Sequence, residues 1–168
     1  MDISKIDPWV DPAPSNACTM SLRKLRQNIK KKKPWAYRQM AYRFAVGGGV
    51  KRSLKKSILN FKKGMKLGDP ECMNALGNRY AKGKGVAKNS KLAFEHYQMA
   101  AFKGFDCAQY NLALCYANGN YVEQSDTKER EWHTRAAAQG YEDAIHNLKI
   151  MDDAENEPEE TKETKETK

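Results

Sequence analysis

The side chains best placed to do chemistry are the lysines and arginines in the first third of the chain. No aspartate or glutamate occurs between Asp11 and Asp69, and residues 1–67 hold 17 basic residues against 3 aspartates. Residues 68–151 carry 10 residues of each sign, and residues 152–168 carry 3 basic against 8 acidic residues. A surface of one sign favours an anionic partner. The residues predicted to bind it are Arg23, Lys24, Arg26, Lys30, Lys31, Lys32, Lys33, Lys55, Lys56, Lys62 and Lys63.

The four-lysine run Lys30–Lys33, which ends at Pro34, has three interpretations. It is a solvated basic turn, a nuclear-import signal or a phosphate-binding patch. Lysine contacts to phosphate are mostly independent of sequence and strongly sensitive to salt. Nucleic acid or another polyanion is therefore an alternative partner to a protein.

Catalytic and metal-binding patterns are missing from the sequence. His96, His133 and His146 have no carboxylate or cysteine at a spacing that makes a metal site, and no Ser/His/Asp order is visible. Gly47–Gly49 is not followed by the Lys-Ser/Thr pair of a phosphate-binding loop. We therefore predict no catalytic residue, no metal ligand and no cofactor, and a protein that is not an enzyme.

The four cysteines do not form a disulfide or zinc pattern. Cys107 and Cys115 would lie about 12 Å apart on one helix, too far to bridge, and no CxxC spacing occurs. Free thiols suit a reducing compartment. With no apolar run of membrane-spanning length and no apolar N-terminal segment, we expect an intracellular, cytoplasmic protein without membrane insertion, and a nuclear location is also compatible.

The elements that position these residues follow from a repeat. Gly68, Gly104 and Gly140 recur at intervals of 36 residues. Columns spaced four residues apart share that period and define one face of a helix. These columns are Ala36, Cys72, Ala108 and Ala144; Met40, Leu76, Leu112 and Leu148; and Phe44, Tyr80 and Tyr116. The pattern predicts stacked helical hairpins.

Capping residues mark where the helices begin and end. Asp69 precedes Pro70, a pair typical of an N-cap followed by the first helical position. The second helix of a unit is predicted to begin at Asn89 or Ser90, and its copy at Ser125 or Asp126. Glycines such as Gly68 provide the left-handed conformation that ends a helix.

The middle repeat carries the motif of a known family. Its residues are Leu76-Gly77, Tyr80, Gly83, Gly85-Val86, Ala93, Ala100-Ala101 and Gly104. This motif resembles the Sel-one-like repeat (SLR) family, relatives of the tetratricopeptide repeats, over roughly residues 19–151. The third repeat departs from it at Tyr121 and Glu129, and the first at Ser57 and Gly64. The resemblance implies an all-α fold, a right-handed α/α superhelix (solenoid) of 36-residue helical hairpins, that acts as a non-catalytic scaffold.

The resemblance also implies a concave groove that binds a peptide. The first helix of each hairpin would line it, at two residues before and two after the leucine column. The resulting groove residues are Arg38, Tyr42, Asn74, Asn78 and Tyr110, with Leu114, His146 and Ile150 farther along. Asparagine pairs suit the backbone amides of a ligand, and Arg38 suits a carboxylate. The alternative is that these are ordinary exposed residues.

The predicted domain layout has three parts. Residues 1–18 form a flexible proline-containing arm, and residues 152–168 form a disordered acidic tail with three ETK units. Between them lies the solenoid, with a capping helix 19–31, repeats 32–67, 68–103 and 104–139, and a half-repeat 140–151. The alternative for 19–31 is a basic amphipathic helix on an acidic membrane surface. The predicted function is a protein-interaction adaptor with a peptide groove and a basic N-terminal face; the alternative is a nucleic-acid-associated protein.

Overall fold

A computed structural model describes residues 19–156, and this part of the chain is entirely helical, with no strand. The predictions for residues 1–18 and for the tail beyond 156 lie outside the described residues. Eight helices follow one another within 19–156. They are α1 (Leu22–Lys30), α2 (Pro34–Val46), α3 (Leu54–Lys66), α4 (Pro70–Lys82), α5 (Ser90–Phe102), α6 (Asp106–Ala117), α7 (Asp126–Ala137) and α8 (Glu142–Glu155).

The helix ends follow the predicted capping residues. Asp69 accepts a hydrogen bond from the backbone N–H of Cys72 at 2.9 Å, and α4 ends at Gly83 with φ of 65°. Asn89 caps α5, and Ser125 caps α7. Each side chain satisfies an N–H that has no partner inside its helix, which fixes where the helix starts.

The helices pack as antiparallel hairpins in sequence order. Helices α2 and α3, α4 and α5, and α6 and α7 form the three hairpins, α1 packs on α2, and α8 packs on α7. The apolar columns form a core that continues through the stack, with Leu25, Phe61, Leu76 and Leu112 fully buried. The prediction of an all-α solenoid is confirmed.

Gly77 permits a close approach inside the second hairpin. A Cβ at this position would lie 2.6 Å from Cε1 of Tyr97, closer than van der Waals contact permits. The absence of a side chain at this position therefore lets the ring of Tyr97, which is 6% exposed, approach the α4 backbone closely. The Leu-Gly pair of the repeat motif has this packing role in the middle repeat.

The last helix is longer than the predicted half-repeat 140–151. Helix α8 continues to Glu155, so the first residues of the predicted acidic tail are helical. The reason is a contact across the hairpin, because the guanidinium of Arg130 on α7 donates to the carboxylates of Asp152 and, at 2.7 Å, Glu155. Acidic residues that favour disorder by composition are held in a helix by one arginine.

That ion pair occupies a position that is aromatic in the preceding repeat. Arg130 and Asp152 correspond in register to Phe94 and Tyr116, whose rings meet edge to face at 5.9 Å. The stack thus changes from apolar to charged packing at its last described interface. A solvated ion pair suits the end of a repeat array, where no further helix covers the surface.

Candidate interaction surfaces

The five predicted groove residues lie on α2, α4 and α6, the first helices of the three hairpins, and we call the surface they share the inner face. Arg38 on α2 is only 7% exposed. Its Nη1 donates to Oδ2 of Asp69 at 2.7 Å, and its Nε lies 3.0 Å from Oε2 of Glu71. The carboxylates that Arg38 binds are therefore the chain's own, whereas the sequence had suggested a ligand carboxylate.

This ion-pair cluster determines the protonation of its members. Burial lowers the pKa of Arg38, but Asp69 and Glu71 outweigh that effect and raise it overall. Burial raises the pKa of Glu71 and is opposed by Arg38. Tyr42 donates to Glu71 at 3.2 Å, and burial together with Glu71 raises the pKa of the phenol. Tyr42 consequently remains a hydrogen-bond donor at neutral pH.

The two predicted groove asparagines are also engaged within the chain. Asn74 is 8% exposed and accepts a hydrogen bond from the amide of Asn111 at 2.9 Å. Asn78 accepts from the hydroxyl of Tyr97, also at 2.9 Å. Their polar atoms connect helices of the solenoid rather than point only into solvent.

Tyr110 completes the set through aromatic contacts. Its ring centroid lies 5.1 Å from that of Tyr141 and 5.4 Å from that of His133. Tyr110 and Tyr141 are 31 residues apart, the same spacing as Arg38 and Asp69. The same pair of register positions therefore joins adjacent repeats by an ion pair at one interface and by two tilted aromatic rings at another.

The predicted basic residues lie on α1, on α3 and in the turn after α1. All of them are exposed except Lys33, which is half-buried. The ammonium of Lys56 lies 5.6 Å from the ring centroid of Phe44. Within residues 19–156, no residue of this set other than Lys33 has an ion-pair or hydrogen-bonding side-chain partner. We call the set, with Lys66 added, the basic N-terminal face.

The two helices of this face occupy corresponding places in successive hairpins. Cδ1 of Leu22, at the start of α1, lies 3.4 Å from the Cβ position of Gly49, in the loop that leads into α3. The next repeat has the same contact, with Cγ1 of Ile58 on α3 lying 3.6 Å from the Cβ position of Gly85. Their charged residues therefore form two neighbouring rows.

A cleft in the second and third repeats was not predicted. It has a volume of about 270 Å³ and lies among α4, α5, α6 and the loops beside them. Its polar lining residues are Lys88, Ser90, Asn111, Asn118 and Asn120. The sequence does contain a sign of this cleft. Arg79, Cys115 and Met151 occupy equivalent positions in the repeat, and the small Cys115 leaves space that a longer side chain would fill.

The described part of the chain has neither a metal-binding cluster nor a membrane-spanning helix. No group of histidine, cysteine or acidic side chains there has a geometry that could hold a metal ion. No described helix is long and apolar enough to cross a membrane. Cys72, Cys107 and Cys115 are free thiols, and burial raises the pKa of each.

Stacked helical hairpins with a repeating capping pattern define the class of α/α repeat solenoids, which bury their core between neighbours. Within this class the chain belongs to the Sel1 repeat family, whose model matches residues 36–69, 70–105 and 108–141. Sel1-repeat proteins are generally protein-interaction scaffolds, and their fold is typically non-catalytic.

Solved structures agree with this assignment. A Sel1 repeat protein from Oxalobacter formigenes is 32% identical, with a TM-score of 0.73 over 77% of this chain and 97% of that one. A protective antigen of uropathogenic Escherichia coli strains with an SLR fold is 30% identical, with a TM-score of 0.69 over 72% of this chain. This chain spans only 26% of that antigen.

A more distant structure shares the fold alone. Helicobacter pylori cysteine rich protein B is 22% identical, with a TM-score of 0.58 over 75% of this chain and 96% of that one. No curated protein matches the sequence.

Proposed function

We propose that the chain is a non-catalytic adaptor that binds an acidic protein surface through its basic N-terminal face. The observation that carries this proposal is the exposure of the basic side chains of α1 and α3 without a compensating acid. Soluble surfaces usually mix both signs, because like charges repel one another in the folded state. A partner with the opposite sign relieves that repulsion and is steered towards the face.

The size of the face suggests a transient contact. Helix α3 has 13 residues and is therefore about 20 Å long. Helix α1 has 9 residues and is about 14 Å long, so the two helices, each about 10 Å wide, offer roughly 340 Å². This is less than half of the roughly 800 Å² that each partner contributes to a standard stable interface. We therefore expect affinity that depends strongly on salt and a partner that dissociates readily.

The inner face is the weaker candidate for a primary site. Arg38, Asn74, Asn78 and Tyr110 all use polar atoms or rings to join helices of the stack. Displacing those contacts would cost the protein internal hydrogen bonds before a ligand gained any. Only Tyr42 among the five predicted groove residues counts as exposed, at 37%.

Nucleic acid is the alternative anionic partner for the basic N-terminal face. Single-stranded nucleic acids are usually held by exposed aromatic rings beside basic residues. Near the basic N-terminal face, Trp35 is 4% exposed and packs in the core, so it offers no stacking platform. This arrangement favours an acidic protein over a nucleic acid.

The test is an affinity capture from the source cell with nuclease-treated and untreated halves. The full chain is compared with a K55E/K56E/K62E/K63E variant on α3. A protein that survives nuclease, is retained at stoichiometric level and is lost with this variant supports the proposal. Material that disappears with nuclease assigns the face to nucleic acid and overturns it.

The matched control is a K82E/K84E/K91E/K103E variant, which makes the same change in net charge on exposed lysines of the middle repeat. Capture by the control should remain near wild type, because these lysines lie outside the basic N-terminal face. Equal loss in both variants would show that only the net charge matters and that no particular face binds the partner.

A further inference from the structure

The cleft beside α5 exists because one repeat position changes size. In the register of the repeat, Arg79, Cys115 and Met151 are equivalent. The guanidinium of Arg79 lies 5.9 Å from the ring centroid of Phe61, and Phe61 is the equivalent of Tyr97. Cys115 cannot reach as far, so the space beside Tyr97 remains open. The cleft therefore takes the place beside the ring that the long side chain of Arg79 occupies in the preceding repeat.

The polar lining of the cleft is rich in hydrogen-bond donors. Lys88 is its only charged lining residue, and it forms no ion pair within residues 19–156. Asn111 donates one amide hydrogen to Asn74 and Asn118 donates one to the carbonyl of Leu114, so each retains a second amide hydrogen. Among the described residues, the side chains of Ser90 and Asn120 have no hydrogen-bond partner.

The chemistry of this lining selects the occupant. An ammonium, a hydroxyl and three amides can surround a carboxylate with donors, whereas none of the described residues that line the cleft is acidic and could bind a cation. Small-molecule sites usually have volumes of about 300–1,000 Å³, so a cleft of about 270 Å³ suits a single side chain. Among acidic residues, glutamate has the length that the equivalent Arg79 and Met151 indicate.

We propose that this cleft is a second binding site, which accepts the side chain of a glutamate presented by a partner polypeptide. The carboxylate is bound by Lys88 and the asparagine amides, and the methylene groups lie against Tyr97 and Cys115. The site uses no residue of the basic N-terminal face. It can therefore be tested separately from the proposed function.

The experiment is an NMR titration of the full, isotope-labelled chain with the capped peptide acetyl-Gly-Glu-Gly-amide. We expect millimolar affinity, which is typical of a single weak contact. The side-chain amide signals of Asn111, Asn118 and Asn120 should shift together. Peptides with Gln, Asp or Arg in the central position should bind several-fold more weakly. Preference for the Arg peptide, or no shift with any peptide, would overturn the proposal.

Two kinds of variant locate the binding. Cys115→Met fills the cleft with the side chain found at the equivalent position 151, and should abolish the shifts. Lys88→Ala should weaken binding about tenfold, as expected for loss of a charged hydrogen-bond donor. Lys84→Ala, an exposed lysine of the same loop outside the lining, should leave binding unchanged.

If Cys115→Met folds poorly, the comparison of Lys88→Ala with Lys84→Ala still tests the proposal. Equal effects of Lys88→Ala and Lys84→Ala would show that the peptide responds only to general charge, and would overturn the assignment. The K55E/K56E/K62E/K63E variant should bind the peptide as wild type does. Loss of binding in that variant would move the site to the basic N-terminal face.

Discussion

Gly64 on α3 lies against Cys72 on α4, and a Cβ on Gly64 would overlap with Sγ of Cys72. The next two repeats have alanine at both equivalent positions, Ala100 with Ala108 and Ala136 with Ala144. The first repeat therefore combines a smaller residue with a larger one at the same contact. The Gly64–Cys72 pair fills about the same total volume as each alanine pair with different residue types, and a close-packed interior requires that total to be kept.

The first prediction concerns that exchange of volume. Gly64→Ala should lower the free energy of unfolding by about 1–3 kcal/mol, because the added methyl group overpacks the contact. The higher helix propensity of alanine should offset up to about 1 kcal/mol of this loss. The double variant G64A/C72A recreates the alanine pair of the later repeats and should recover most of the loss. Urea unfolding measures both, with Cys72→Ala as the control. Additive effects of the two substitutions would contradict the contact.

The second prediction concerns the buried cation of the inner face. Arg38→Met should lower the free energy of unfolding by about 3 kcal/mol, because Asp69 and Glu71 remain close together without their partner. Burial already raises the pKa of Glu71, and without the opposing arginine this pKa should rise further. Stability of the variant should therefore decrease as pH rises from the acidic range towards neutrality.

The control for this prediction removes the charges as well. In R38M/D69N/E71Q the asparagine still caps α4, so most of the stability at neutral pH should return. Urea midpoints at several pH values provide the comparison. A single R38M variant as stable as wild type at neutral pH would show that the ion pair contributes nothing net.

The third prediction is a loss of stability in mild acid through His133. This side chain is 0% exposed, and burial lowers its pKa below the usual value near 6.5. It faces Tyr110, Asn147 and Glu129, whose carboxylate is 3.6 Å away. Because the unfolded state binds the proton more readily, stability should decrease as pH falls through about 6.5 and below.

His133→Tyr provides the measurement, since the equivalent position in the middle repeat is Tyr97. Thermal or urea unfolding between neutral pH and mild acid should depend less on pH in this variant. Some dependence should persist, because burial also lowers the pKa of His96. His146→Gln, at an exposed position, is the control. An unchanged pH profile in His133→Tyr would exclude His133 as the titrating group.

The fourth prediction concerns the end of the stack. Arg130→Ala should increase amide hydrogen exchange at Asp152–Glu155, because the arginine joins those residues to α7. High salt should produce the same change in the wild-type protein by screening the exposed charges. The double variant R130F/D152Y recreates the aromatic pair of the preceding repeat, and its exchange should be insensitive to salt. Protection unaffected by Arg130→Ala would mean that α8 is stable by itself.

The hairpins and their boundaries could be predicted because their causes are local. Each cause acts within about one helical turn: apolar residues four apart define a buried face, an aspartate before Pro70 caps a helix, and a glycine ends one. Repetition at 36 residues then made each local signal visible several times. The excess of basic residues before Asp69 was also visible in the sequence, since counting charges requires no knowledge of their partners.

The partners of side chains that meet across repeats could not be predicted in the same way. Arg38 and Asp69 meet from 31 residues apart, and Arg130 and Asp152 from 22. Whether Arg38 binds a ligand or the chain itself depends on which carboxylate the next helix places beside it. The cleft beside Tyr97 likewise depends on the size of one residue against its three-dimensional neighbours. The sequence alone determined the solenoid and the uneven distribution of charge along it, because periodicity and charge are properties of the chain itself. The tertiary structure decided which polar groups are used internally, because only packing brings distant residues within hydrogen-bonding distance.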